Sequence, residues 1–143
     1  MIFIKKDLTT VKQGIILNGV NCQRAMGAGL AKSLYLKWPI VREQFRNTEP
    51  RLGKVDYVLV DKELIVANCY TQERYGYNGV YASLEGISYC LDLIGRVSKA
   101  TDFAVYTSKL GCGLGGLDWE DVEPLFEEVE KKYNIKFHIC ELE

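Results

Sequence analysis

Residues 14–31, GIILNGVNCQRAMGAGLA, constrain the fold of this chain more than any other stretch. The apolar run from Ile15 to Leu17 predicts a buried strand. A polar turn over residues 18–23 follows, and Gly27-Ala28-Gly29 then leads into a helical pattern. Glycines let backbone N–H groups approach a phosphate, and the positive end of the helix dipole favours negative charge there. The stretch therefore predicts an anion site between a strand and a helix.

The length and composition predict a single domain, residues 1–143, that is long enough to bury a hydrophobic core. The chain has 143 residues, of which 48% are hydrophobic and 26% charged, and its formal net charge is -1. A net charge so close to zero does not indicate binding to nucleic acid or to an anionic membrane. No apolar run approaches the roughly 20 residues that cross a bilayer, and the first ten residues do not have the pattern of a signal peptide. We expect no membrane association.

The cysteine pattern favours a reduced, cytoplasmic protein without a structural metal. Five cysteines are scattered along the chain, and none stands in C-x-x-C spacing. The single histidine, His138, falls in a predicted strand and offers no second ligand nearby. The sequence therefore predicts neither zinc nor a disulfide framework, and it implies no cofactor.

Six strands and about four helices alternate along the chain. Strands are predicted over residues 2–4, 14–20, 55–60, 64–70, 103–106 and 135–142, and the third and fourth form a hairpin. Helices are predicted after Gly29 to near Lys37, over 40–46, over 84–97 and after Asp118. Asp118 is placed to cap the last helix, whose regular part is expected to begin just before Pro124. This order predicts a three-layer α/β/α fold: a mixed six-stranded sheet with helices on both faces.

A second glycine loop follows the fifth strand, at residues 109–116 (KLGCGLGG). Loops that leave strands and enter helices line the crevice at the carboxyl ends of the strands, where ligands bind. The two loops together could hold a ligand with two phosphates. The G-x-G-x-x-G and G-x-x-x-x-G-K-[ST] nucleotide motifs are both absent from the expected places.

These residues resemble a known family. Asp7-Leu8-Thr9 after the first strand, Asn21 with Gly27-Ala28-Gly29 after the second, and GCGL at residues 111–114 before Asp118-Trp119 are similar to a macro domain. The similarity extends over nearly the whole chain. It is strongest to the branch that includes terminal ADP-ribose protein glycohydrolase and the yeast-type ADP-ribose-1″-phosphate phosphatase.

The resemblance implies an ADP-ribose site. By that resemblance Asp7 accepts a hydrogen bond from the adenine amino group, and Leu8 offers its backbone N–H and an apolar contact. Asn21 lies beside the distal ribose. The two phosphate loops are formed by the following residues: Gly27, Ala28 and Gly29 in the first, and Leu110, Gly111, Cys112, Gly113 and Leu114, after Lys109, in the second.

Two catalytic positions of that branch are not matched. The branch's glutamyl-ADP-ribose hydrolase uses an aspartate after GCGL, where this chain has Gly115, and a lysine near Gln72-Glu73-Arg74, where this chain has none. The yeast-type phosphatases of the branch carry a small residue after GCGL, so Gly115 resembles them more than it resembles the hydrolase. The catalytic residues are thus unknown from the sequence, and Asn21 and Asp118 are the candidates.

Ordinary structural roles compete with these assignments. Asp7 could be a turn residue, Asn21 could stabilise its own loop, and Asp118 could only cap a helix. Cys22 and Cys112 are expected to pack rather than react. Residues 73–77 (ERYGY) form either a lid over the distal ribose or an ordinary surface loop.

The expected function is hydrolysis at the distal ribose of an ADP-ribose derivative. The reaction is either removal of phosphate from ADP-ribose-1″-phosphate or release of ADP-ribose from a modified protein or nucleic acid end. The alternatives are a non-catalytic module that reads ADP-ribose and one that sequesters an ADP-ribose-derived signal. We expect the chain to act as a monomer.

Overall fold

The computed structural model describes residues 1–142 and contains one six-stranded sheet. The strands are β1 (Ile2–Lys5), β2 (Gly14–Asn21), β3 (Val55–Asp61), β4 (Leu64–Gln72), β5 (Val105–Thr107) and β6 (Phe137–Glu141). The helices are α1 (Gly29–Lys37), α2 (Ile40–Arg46), α3 (Leu84–Thr101) and α4 (Trp119–Tyr133), and a short 3-10 helix spans Leu8–Thr10. None of these helices combines the length and apolar character needed to cross a bilayer, within residues 1–142.

The strands lie in the order β1-β6-β5-β2-β4-β3, and all neighbours are parallel except β3 and β4. The antiparallel pair is the predicted hairpin, which is confirmed. In the middle of the sheet, Ile15 of β2 pairs with Val105 of β5 on one side and with Ile65 of β4 on the other. The carboxyl ends of β2, β4 and β5 therefore meet at one edge, as expected for parallel strands.

Helices cover both faces of the sheet. On one face, α3 and α4 enclose a core that includes Ile15, Leu17, Ile94 and Phe126. On the other face, α1 and α2 bury a second core around Ile16, Leu34, Phe45 and Tyr70. Ile15 and Ile16 are adjacent in β2 and point to opposite faces, which explains the consecutive apolar residues Ile15, Ile16 and Leu17. The three-layer α/β/α prediction is confirmed.

The first two helices begin and end where the sequence predicts. α1 ends at Lys37, because Trp38 precedes Pro39 and has left the helical region at φ -127° and ψ 86°. α2 follows directly over Ile40–Arg46. α3 begins after Ser83, whose side chain accepts a hydrogen bond from the Gly86 N–H at 3.0 Å.

The last helix differs from the prediction in two ways. It begins at Trp119, ahead of Pro124, so the expected later start was wrong. Pro124 removes a single helical hydrogen bond, while Trp119 packs on Phe126 with ring centroids 5.4 Å apart and holds the first turn on the core. Asp118 occupies the N-cap position, but its side chain makes no capping hydrogen bond, and its backbone carbonyl accepts from the Asp121 N–H instead. The predicted side-chain cap was therefore also wrong.

Candidate functional site

An open cleft of about 750 Å³ lies at the carboxyl ends of β2, β4 and β5. Three segments contribute its walls: the loop from the end of β2 into α1, the segment after β4, and the loop after β5. The lining residues outside these loops come mainly from the strand ends and include Asn18, Gly19, Val20, Thr71 and Ser108. The cleft is thus placed by the parallel strand order itself.

The first loop is held in shape by the side chain of Asn21. Its Oδ1 accepts hydrogen bonds from the N–H groups of Gln23 and Ala25 at 3.0 and 3.3 Å, and its Nδ2 donates to the Ala25 carbonyl at 2.8 Å. Met26 anchors the far side of the loop, because its side chain is buried in the core beneath α1. Asn21 lines the cleft, but its carboxamide is engaged with its own loop.

The amino end of α1 opens into the cleft. Gly29, Leu30 and Ala31 form the first turn of this helix and line the cleft, and no side chain caps the turn. Gly29 has φ +58°, a backbone conformation that glycine adopts without strain. The first N–H groups of a helix have no partner within it and carry the positive end of its dipole. This end of the cleft is therefore suited to an anion.

The second loop is built from backbone hydrogen bonds. The Cys112 N–H donates to the Lys109 carbonyl at 3.0 Å, the Leu117 N–H to the Gly111 carbonyl at 3.0 Å, and the Gly116 N–H to the Gly113 carbonyl at 3.1 Å. Within residues 1–142, the N–H groups of Gly113 and Leu114 donate no backbone hydrogen bond. Both residues line the cleft, opposite α1.

The second loop also anchors the segment after β4. The Gly115 carbonyl accepts hydrogen bonds from the N–H groups of Tyr81 and Ala82 at 2.8 and 3.0 Å. A Cβ at Gly115 would lie 2.6 Å from the Gly111 carbonyl oxygen and 2.8 Å from the Ala82 Cβ. Such distances are too short for any side chain, so glycine is required at this position by close packing.

The cleft carries little charge of its own. Among residues 1–142, Lys109 is the one charged residue that lines the cleft, and it forms an ion pair with Glu141 at 3.1 Å. Within the same range, no carboxylate, imidazole or thiol group lines the cleft. No cluster of histidine, cysteine, aspartate and glutamate that could hold a metal ion occurs in that part of the chain. The cleft thus offers backbone N–H groups and a helix amino end rather than ionised side chains.

Eight of the eleven residues proposed from the sequence to bind a ligand line this cleft: Asn21, Gly27, Ala28, Gly29, Leu110, Gly111, Gly113 and Leu114. The other three, Asp7, Leu8 and Cys112, do not. Leu8 is buried in the core beneath α1. The Cys112 side chain packs against the opposite core, beneath α3 and α4.

Asp7 takes part in a local turn. It is the N-cap of the 3-10 helix, and its Oδ1 accepts hydrogen bonds from the Thr9 N–H at 2.9 Å and the Thr9 hydroxyl at 2.8 Å. The bond from the Thr9 N–H is the main reason that the pKa of Asp7 lies below its ordinary value. The carboxyl is exposed, so its second oxygen remains open to a ligand.

Asp118, Cys22 and His138 lie outside the cleft, whereas Tyr75, Gly76 and Tyr77 of the segment 73–77 line it. Asp118 is exposed at the start of α4. Burial raises the pKa of the thiols of Cys22 and Cys112, although the Lys109 ammonium opposes this at Cys112. Both thiols are therefore protonated near neutral pH, as expected for packing residues. His138 stacks on Tyr106 with centroids 4.6 Å apart, and its Nδ1 is 3.2 Å from the Val105 carbonyl oxygen.

Sequence reasoning missed several polar lining residues at strand ends. Asn18, Thr71 and Ser108 each lie at or just beyond the carboxyl half of a parallel strand and line the cleft. Asn18 and Thr71 are almost fully buried, and the Asn18 Nδ2 donates to the Asn68 Oδ1 at 2.9 Å. Polar residues inside otherwise apolar strands were the available signal.

No protein-family model matches the sequence. Among curated proteins, the chain is 30% identical over 145 residues to the human ADP-ribose glycohydrolase OARD1, covering 98% of this chain and 90% of the relative. The chain belongs to the macro domain family. The macro domain of Mycobacterium tuberculosis DarG has the same fold, with a TM-score of 0.83, 24% identity, and coverage of 97% of this chain and 95% of that one.

A second curated relative is a much longer protein. The DNA ADP-ribosyl glycohydrolase of Mycobacterium bovis is 29% identical over 124 residues, which cover 82% of this macro domain. The same match spans only 35% of the length of the mycobacterial protein.

This macro domain lacks side chains that could serve as nucleophile or acid at two positions beside the cleft. Gly115 stands at the place of the aspartate used in one branch of the family, and the packing described above leaves no room for it. Gln72 lies in the region of the lysine and lines the cleft. Its Nε2 donates to the Arg74 carbonyl at 2.8 Å, so its carbonyl oxygen is the end that remains for a ligand or water.

Proposed function

We propose that this macro domain binds ADP-ribose derivatives in the cleft and hydrolyses the bond at C1″ of the distal ribose. The observation that carries the proposal is the facing pair of glycine loops, with the uncapped amino end of α1 on one side and the free N–H groups of Gly113 and Leu114 on the other. The names of the relatives, ADP-ribose glycohydrolase and DNA ADP-ribosyl glycohydrolase, support the same reaction class.

The diphosphate fits between the two loops. Backbone N–H groups and a helix amino end stabilise phosphate oxygens without requiring a strongly basic site. Lys109 adds one ammonium group at the second loop, where Glu141 balances part of its charge. This arrangement favours a compact anion with several oxygens over a long polyanion.

Hydrolysis in this cleft depends on positioning. Water forms a bond to C1″ while the bond to the leaving group breaks. The leaving group takes the electron pair, and one proton of the water passes to the leaving group or to solvent. No carboxylate of residues 1–142 lines the cleft. The chain therefore contributes by holding the ribose and the water in line and by stabilising developing negative charge with backbone donors. The rigid first loop, fixed by Asn21, supports that positioning.

We propose two kinds of substrate for this reaction. The first is an acceptor, either a protein or a nucleic acid end, from which ADP-ribose is released. The second is ADP-ribose-1″-phosphate, from which phosphate is released. We further propose that the chain acts as a monomer in the cytoplasm, a setting compatible with its five free thiols.

The test is product release from substrates that differ only at C1″. Purified protein is given ADP-ribose-1″-phosphate, an ADP-ribosylated peptide and an ADP-ribosylated oligonucleotide, and ADP-ribose is quantified. We expect release from at least one of them and at least a tenfold loss in Gly27→Glu. A Cβ at Gly27 meets no atom within 4 Å and its φ is not positive, so the change adds charge to the cleft without disturbing the loop.

Gly27→Gln is the matched control for this variant. It adds the same bulk without the charge, so we expect it to retain more activity than Gly27→Glu. If wild-type protein releases nothing from any of the three substrates, the hydrolase proposal is wrong.

A second candidate is a reader that binds ADP-ribose without turnover. The lining residues among positions 1–142 include no carboxylate, imidazole or thiol, and this absence favours it. Calorimetry with ADP-ribose on the same samples separates the two: binding without release supports the reader, and binding with release supports the hydrolase.

A further inference from the structure

The hydroxyl of Thr71 is a buried polar group that the fold itself does not use. Thr71 lies near the end of β4 and lines the cleft, and only 1% of its surface is exposed. Within residues 1–142, its Oγ1 takes part in no hydrogen bond. Buried hydroxyls normally have a partner, because leaving one unpaired costs free energy. We therefore expect this hydroxyl to find its partner in what the cleft binds.

Two other hydroxyls of the described chain also lack a partner, but they are placed differently. The hydroxyls of Tyr57 and Tyr70 are fully enclosed, and neither residue lines the cleft. The Thr71 oxygen is not enclosed in this way. It opens into the cleft, where a ligand or a water molecule can reach it.

A β-bulge determines the position of this side chain. The register between β2 and β4 shifts by one residue between two neighbouring pairs: Val20 with Tyr70, and Asn21 with Gln72. Thr71 is therefore an extra residue of β4 without a register partner in β2. Bulges redirect a side chain and are common beside active sites. The backbone is also held here, because the Thr71 carbonyl accepts a hydrogen bond from the Ser83 N–H at 2.7 Å.

A small space adjoins the hydroxyl. Gly19 is exposed, and a Cβ built there would lie 3.2 Å from the Thr71 Oγ1 and 3.2 Å from the Leu110 Cδ1. Gly19 has no positive φ, so its backbone conformation does not require glycine. The missing side chain instead keeps the approach to the hydroxyl open. A water molecule can approach it there at about 2.8 Å, the usual O–H···O distance.

The sheet order places this hydroxyl at one end of the cleft. Asp7 follows β1 at one edge of the sheet, and Thr71 lies near the end of β4, on the far side of β5 and β2. If adenine lies toward Asp7 and the diphosphate between the loops, the distal ribose lies toward β4. C1″ then lies on the side of the cleft that contains the Thr71 hydroxyl.

Few other side chains of the cleft are free to hold a water molecule at this end. No carboxylate, imidazole or thiol of residues 1–142 lines the cleft. The Asn21 carboxamide is bonded to its own loop, and Lys109 is paired with Glu141. Ser108 lines the cleft with a second hydroxyl, but it follows β5, nearer to β1.

We propose that the Thr71 hydroxyl positions the water that attacks C1″. This inference rests on the proposed function and adds the residue that orients the nucleophile. The water donates one hydrogen bond to the Thr71 Oγ1, which turns a lone pair of the water toward C1″. As the new C1″–O bond forms, the bond to the leaving group breaks with its electron pair. The water proton passes to the leaving group or to solvent, and Thr71 stays neutral throughout.

The test separates turnover from binding. Thr71→Val replaces the hydroxyl with a methyl group of similar size, and Thr71→Ser keeps the hydroxyl. We measure kcat and KM on each of the three substrates above that wild type hydrolyses, and ADP-ribose affinity by calorimetry. We expect Thr71→Val to lower kcat about tenfold, the effect of one hydrogen bond lost in the transition state, with affinity unchanged within about twofold. Thr71→Ser should restore most of kcat.

Gly19→Ala reaches the same place without removing the hydroxyl. The added methyl group occupies the space between the Thr71 Oγ1 and the Leu110 side chain, so the water is displaced. We expect a fall in kcat similar to that of Thr71→Val. Wild-type kcat in Gly19→Ala would show that no attacking water is held at this place.

Thr107→Val is the matched control for stability. Thr107 is fully buried in β5 and does not line the cleft, but its hydroxyl donates to the Ser108 carbonyl at 2.8 Å. We expect this variant to unfold at a lower urea concentration than wild type, because it loses a hydrogen bond of the fold. Thr71→Val loses none and should unfold at the wild-type concentration or above. A lower concentration for Thr71→Val would show that the hydroxyl serves the fold and would overturn the proposal.

Two further results overturn the assignment of Thr71. One is a wild-type kcat in Thr71→Val. The other is a loss of ADP-ribose affinity as large as the loss of kcat, which would make Thr71 a ligand-binding residue. Both leave hydrolysis measurable in wild type. If wild type hydrolyses none of the substrates, the proposed function fails, and this inference fails with it.

Discussion

The two glycine loops border the same cleft but are held in shape by different means. The first depends on one side chain, because the Asn21 carboxamide makes three hydrogen bonds within residues 21–25. The second depends on the backbone: its carbonyl groups at 109, 111 and 113 accept bonds from the N–H groups at 112, 117 and 116. The carbonyl of Gly115 accepts two more, from the N–H groups of Tyr81 and Ala82.

The difference determines which substitutions each loop accepts. Gly27 in the first loop faces open space, while Gly115 in the second is enclosed by Gly111 and Ala82. A loop held by a side chain can therefore gain atoms on its cleft face without strain. A loop held by close backbone packing cannot, unless the added atoms point into the cleft, as at Gly113.

The largest expected effect is that of Gly115→Asp. The new Cβ would collide with the Gly111 carbonyl oxygen and with the Ala82 side chain, so the second loop and the segment at Ala82 must move apart. We expect the free energy of unfolding to fall by about 2–3 kcal/mol, measured by urea denaturation. Gly113→Asp places the same side chain in open space in the same loop and should cost less than about 0.5 kcal/mol. Equal losses in the two variants would contradict the packing account.

Asn21→Ala tests the side-chain support of the first loop. It leaves the N–H groups of Gln23 and Ala25 and the Ala25 carbonyl without their partner. We expect a loss of about 1–2 kcal/mol in the free energy of unfolding, together with weaker ADP-ribose binding. Asn47→Ala removes an exposed bond to the Glu43 carbonyl and is the control, with a smaller loss and unchanged affinity. Affinity that is unchanged in Asn21→Ala would show that this loop needs no side-chain support.

The smallest expected effect concerns the two loop cysteines, Cys22 and Cys112. Burial raises the pKa of both thiols above the ordinary value, so both stay protonated at neutral pH. We expect Cys22→Ser and Cys112→Ser to hydrolyse substrate at a rate within about twofold of wild type. The pH profile of kcat/KM between pH 6 and 8.5 should show no inflection that either substitution removes. An inflection lost in one variant would give that thiol a role in the reaction.

Much of the fold could be predicted because local and long-range signals agree. The end of α1 follows from Trp38 before Pro39, and the hairpin follows from two β-rich runs around Asp61 and Lys62. The start of α4 could not be predicted, since the contact between Trp119 and Phe126 outweighs the unfavourable Pro124. Local helix rules contain no information about that packing.

The site was predictable in its backbone and less so in its side chains. Gly27 and Gly29 of the first loop and Gly111, Gly113 and Gly115 of the second line the cleft, as their positions after β2 and β5 indicated. Asp7 and Cys112 do not line it, because one is bound to Thr9 and the other packs on the core. The tight approach of Gly115 to Ala82 joins residues far apart in sequence, and no local pattern reveals it.

The most direct measurement is a calorimetric titration of ADP-ribose into wild-type protein, Gly27→Glu and Gly113→Glu. The two substitutions introduce a carboxylate from opposite walls, at positions where a Cβ meets no atom within 4 Å. If the diphosphate lies between the loops, each variant should lose at least about tenfold in affinity while unfolding at the wild-type urea concentration. Wild-type affinity in both variants would contradict the account, because each of the two carboxylates would repel a diphosphate that lies between the loops.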